Sequence, residues 1–179
     1  MSQKVIVNLD VAGEQTAVGG TSAGRSKILE RLSAVYTFPD GASAGEADSM
    51  WADDRTVNAG VVDALELDNL PSVGPVGAVV LAKVKGLVLF NDSDADYLTL
   101  GGGSGGKTAP AADAWSDTDG GIDLSPFSAD ASSIPVAAGD YFLWTSKAGV
   151  DVVTANGDIL GIEGFVSNQD YQLLIWGDA

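Results

Sequence analysis

Neither cysteine nor histidine occurs in the 179 residues. The first absence excludes disulfides, thiolate metal sites and cysteine nucleophiles, and leaves the redox compartment unread. The second removes the commonest general base and the commonest transition-metal ligand, so any metal site falls to carboxylates and carbonyls, which select calcium or magnesium. Basic residues are scarce too: nine Lys and Arg stand against 25 Asp and Glu, for a formal charge of −16. A field of that sign repels phosphate backbones and anionic membranes, which argues against direct nucleic-acid or membrane partners and for basic ones. No apolar run approaches the roughly 20 residues that span a bilayer. The opening MSQKVIVNLDVAG lacks the charged segment and apolar core of a secretory leader, so the chain is expected to be made in the cytosol and left unprocessed.

What is present points to strands. Much of the hydrophobic content is Ala and Val beside 23 glycines, a composition that suits short strands joined by tight turns. The length predicts one core. Residues 4–11 alternate as KVIVNLDV, a half-buried strand or an arm able to add to a neighbour's sheet, and the small polar run 12–24 reads as a flexible connector. Residues 1–24 are therefore expected to form an arm and connector, and 25–179 a single sandwich domain. Residues 25–38 fit both helical and alternating patterns and, ending in VYTF before Pro39, lean to strand. Residues 78–90 (AVVLAKVKGLVLF) read as a long core strand with its lysines leaning outward and a bend near Gly86. NDSDAD at 91–96 reads as a hairpin loop, and 101–123 as a long surface loop broken by Trp115. Strands around 136–146, 158–166 and 171–177, separated by Ala138-Gly139-Asp140 and Asn156-Gly157, recur at sandwich spacing. The expected fold is all-β, a jelly-roll-like β-sandwich with an N-terminal arm and long surface loops.

Two sequence motifs invite chemistry. Residues 101–108, GGGSGGKT, satisfy G-x-x-x-x-G-K-[ST], but a phosphate-binding loop needs a helix opening at its lysine, and APAADAWSDTDGG reaches glycines before one could form. A surface loop is the better reading. Asp92, Asp94 and Asp96 begin like a calcium loop, yet Tyr97 and Gly103 stand where an EF-hand needs glycine and glutamate. No cofactor is expected. A looser calcium site there, or at Asp117, Asp119 and Asp123, stays open beside a solvated turn.

The chain is organised around residues 38–56, FPDGASAGEADSMWADDRT. Pro39-Asp40-Gly41 is a turn signal. Trp51, Asp53, Asp54, Arg55 and Thr56 follow as the candidate site, read as a structural clasp or interface because a guanidinium can grip carboxylates in a two-pronged pair and pin a loop. Trp144 and Trp176 lie in apolar strands and are expected in the core. Trp51 and Trp115 lie in loop-like context, as interface anchors or, on a carbohydrate-binding reading, as a stacking platform.

The order of G-x-x-A-G-x-A-D (Gly41, Ala44, Gly45, Ala47, Asp48), W-x-D-x-R-T (Trp51, Asp53, Arg55, Thr56), L-x-L (Leu65, Leu67), A-x-V-K-x-L (Ala82, Val84, Lys85, Leu87) and Gly101-Gly102 resembles small virion structural proteins of tailed bacteriophages. The likeness runs from Phe38 to the C-terminus, outside 103–123. It implies a non-enzymatic sandwich on the outer capsid surface, binding the major capsid protein lattice as a decoration or stabilising protein. It also implies a homo-oligomer, with a trimer favoured. A tail or neck protein, or a carbohydrate-binding or adhesin-like module, is the alternative.

Overall fold

The computed structural model describes residues 4–73, 77–101, 133–152, 159–164 and 166–179 apart from 18–25, with 9–17 and 26–34 defined by their backbone pairing. The described residues form ten strands and no helix: β1 Val5–Ala17, β2 Ser26–Phe38, β3 Ser49–Val57, β4 Val62–Glu66, β5 Lys83–Asn91, β6 Tyr97–Gly101, β7 Ser133–Ala137, β8 Tyr141–Asp151, β9 Ile159–Gly164 and β10 Gln169–Asp178. The all-β expectation holds.

Eight strands make two four-stranded antiparallel sheets, ordered β3-β10-β5-β8 and β4-β9-β6-β7. Strands far apart in sequence nest as pairs: β3 with β10, β4 with β9, β5 with β8, β6 with β7. That is the order a long antiparallel hairpin takes when rolled up. Alternation supplies the core. Along β10, Gln169, Tyr171, Leu173 and Ile175 are buried while Asp170 and Gln172 are exposed, the period of two that a half-covered strand requires. Inward rows from both sheets meet in one cluster that includes Leu87 and Leu89 of β5, Leu98 and Leu100 of β6, and Leu160 and Ile162 of β9. The two layers are a β-sandwich.

Several local expectations change. β1 and β2 pair with each other in a two-stranded sheet of their own, so residues 26–38, assigned to the sandwich by their apolar ending, are the arm's second strand. Residues 12–17, read as connector because they are small and polar, are strand. Backbone hydrogen bonding to β2 orders them without apolar side chains. NDSDAD is not a hairpin: β5 pairs with β10 and β8, and β6 with β9 and β7, so the loop crosses between sheets. Asn91, fully buried, holds that crossing by donating its Nδ2 to the Val136 carbonyl at 2.9 Å and accepting from the Ser93 amide at 3.2 Å.

The arm's base sits on the outer face of the β3-β10-β5-β8 sheet. Val5 and Phe38 bury themselves with Ala47 and Trp176, and the Phe38 and Trp176 rings meet edge-on, 5.9 Å apart at 61°. Gly86 makes room: a Cβ there would stand 2.0 Å from a Trp176 ring carbon. The bend expected near Gly86 appears as a register irregularity between Val84 and Gly86.

Candidate functional site

Asp53 and Asp54 give residues 51–55 a loop-like look, but these residues lie in β3 and alternate like any strand. Trp51, Asp53, Arg55 and Val57 form the less exposed row, and Met50, Ala52, Asp54 and Thr56 the exposed one. Both β3 and β4 are edge strands, one in each sheet. Four residues join them, so the inward side chains of Arg55 and Asp63 meet where the two layers come together.

The Arg55 guanidinium grips Asp63 with two prongs, Nε to Oδ2 at 2.6 Å and Nη2 to Oδ1 at 3.0 Å, while Nη1 reaches Asp53 Oδ2 at 3.0 Å. Tyr171 of β10 donates its hydroxyl to Asp63 Oδ2 at 2.6 Å. Register explains its presence, because Tyr171 is the cross-strand partner of Arg55. Burial alone would raise the Asp63 pKa, but the hydrogen bonds from Arg55 and Tyr171 and the guanidinium charge together hold it below the ordinary 3.8. Burial first, and the Asp63 carboxylate second, push the Tyr171 phenol up, so it stays protonated. The Asp63 hydrogen bond raises Arg55 further against the opposing effect of burial. At neutral pH this is a charged fork, a committed carboxylate and a neutral phenol. None is poised as a base or nucleophile, and together they tie β3, β4 and β10.

The other members of the stretch separate. Thr56 donates to Asp170 Oδ1 at 2.5 Å, an exposed tie between β3 and β10. Asp54 points away from the clasp and lines a groove on the outer face. Trp51, expected in a loop and available for contact, is only 3% exposed, belongs to the main core and donates its indole NH to the Pro71 carbonyl at 2.9 Å. The platform of two exposed tryptophans therefore loses this member. Trp176 is core as expected, and Trp144 packs against the core in part. Trp115, the P-loop-like run beyond Gly101, and Asp117, Asp119 and Asp123 lie outside the described residues. Asp92, Asp94 and Asp96 are described, and no group of three or more acidic side chains suited to a metal ion occurs among the described residues.

A second tie was not visible beforehand. Lys85, read as leaning outward, is 1% exposed. Its ammonium donates to the Ser43 carbonyl at 2.8 Å, the Glu46 carbonyl at 2.8 Å and Asp178 Oδ1 at 2.5 Å, which uses all three of its hydrogens. Simple alternation groups it with the core residue Leu87, but the register irregularity between Val84 and Gly86 turns it to the outer face. The turn through 43–46 then covers that face, and a cover from 40 residues upstream leaves no local pattern. Lys83, two residues before Lys85, reaches Asp151 at 2.7 Å and stays partly exposed.

No family model, curated protein or solved structure matches this chain.

Proposed function

We propose that this chain is a non-enzymatic structural protein of a tailed-phage head, a jelly-roll-like sandwich that decorates or stabilises the capsid by binding the major capsid protein lattice. The observation that carries the reading is how the polar side chains are used. The Arg55–Asp63–Tyr171 and Lys85–Asp178 clusters are satisfied internally, while binding capacity remains in the arm and on the outer sheet face. Met50, Val35 and Tyr141 are exposed there or on the arm's base. That distribution suits a protein that works by covering other surfaces. The nested strand order supports the jelly-roll-like description. Subunits that bind only the assembled lattice would stabilise it by mass action.

Mass spectrometry and electron microscopy of purified virions test the reading. Density for this sandwich on the outer capsid is expected. Density on the tail or neck would move the assignment there, and absence from the particle would overturn it.

A further inference from the structure

The arm is two 13-residue strands in continuous register, a ribbon roughly 43 Å long at about 3.3 Å per residue. A lone two-stranded hairpin is at best marginally stable in water. Its base is anchored through Val5, Phe38 and, in part, Val7. The register continues the apolar row past that anchor, pairing Val7 with Tyr36, Leu9 with Ala34 and Val11 with Leu32; residues two apart share a face.

Charge divides along the same line. Residues 1–38 hold Lys4, Arg25, Lys27 and Arg31 against Asp10, Glu14 and Glu30, a net +1, whereas residues 39–179 hold five cations and 22 carboxylates, a net −17. The arm is thus suited to an acidic surface with an apolar floor. The chain carries such a surface. Cross-strand rows of Ala52, Leu174 and Val88, and of Asp54, Gln172 and Phe90, line an open groove of about 450 Å³ on the outer face. Val88 and Leu174 also pack against the arm's own anchor, so the groove continues an existing contact.

We propose that the arm of one copy lies in this groove on a second copy. One chain supplies both halves, and an arm given to a neighbour leaves that neighbour's arm free to reciprocate, which closes the assembly by symmetry. Of the capsid reading, the proposal deepens only the expectation of a homo-oligomer, and purified protein tests it without any virion.

The absence of cysteine makes the test clean. Full-length chains carrying Val11→Cys are mixed with chains carrying Phe90→Cys under mild oxidation, and a disulfide between the two chains is expected. In sedimentation the wild type runs as an oligomer. Lys27→Glu with Arg31→Glu, which takes the arm from +1 to −3, weakens self-association by at least about tenfold. A monomeric wild type would overturn the proposal. So would a disulfide that forms only within one chain when both cysteines share it, or an oligomer indifferent to the charge reversal that yields no cross-link.

Discussion

Arg55 is clasped by two carboxylates, one of which also accepts a phenol. Removing the guanidinium leaves Asp63 half-buried against Asp53 with only Tyr171 to answer it. Arg55→Ala is expected to cost about 1–3 kcal/mol, seen as a lower urea midpoint at unchanged slope, and Arg55→Lys to restore little because an ammonium cannot make the two-pronged contact. The tie also has a pH signature. Asp63 is held below 3.8 in the folded chain, so its contribution is complete above that value and is lost as pH falls through the depressed one. Urea midpoints measured from pH 6 downward should fall less steeply for Asp63→Asn than for the wild type, and identical slopes would contradict the clasp. Lys85→Met keeps the stem but strands Asp178 and two carbonyls, at an expected cost of about 3–5 kcal/mol. Arg55 was legible in the sequence because an arginine after two aspartates needs carboxylate partners. Asp63 and Tyr171 were not. They reach it through a change of sheet and a strand 116 residues away, and only the strand order brings them together.

At the scale of elements, period-two alternation exposed β10 and most of β5, where apolar residues mark the inward row plainly. It failed in β3, whose inward row of Trp51, Asp53, Arg55 and Val57 is half polar; it found the strand in 4–11 and leaned to strand in 25–38, but could not show that these two pair with each other. Alternation reports that a strand has two unlike faces; it carries no information on which strand lies beside it. The joint between arm and sandwich can be tested through Gly86. Gly86→Ala puts a methyl where the Trp176 ring lies, so the indole must leave Phe38. Amides of 5–8 and 35–38 are then expected to exchange faster by at least about tenfold, while those of β9, in the other sheet, change little. Uniform acceleration would mean that arm and sandwich unfold as one unit.

Across the whole molecule, an acidic body of net −17 repels itself. Added sodium chloride up to about 0.5 M is expected to raise the thermal midpoint by roughly 2–5 °C through screening alone. The arm's attachment to an acidic neighbour should weaken over the same range. Stability and self-association would thus move in opposite directions with salt, which calorimetry and sedimentation on one sample set would reveal.

The position of β10 has a consequence for synthesis. It is an interior strand, hydrogen-bonded to β3 on one side and β5 on the other, and it begins only at Gln169. A ribosome that has released everything before it has released two strands with no centre between them, their inward leucines exposed. Folding during translation cannot close this sheet early, because the keystone is cast last. Until then the nascent chain is kept from aggregating by its carboxylates, 23 of the 25 of which precede Gln169. The same acidity that repels the finished body would serve as its own chaperone while the body is being made.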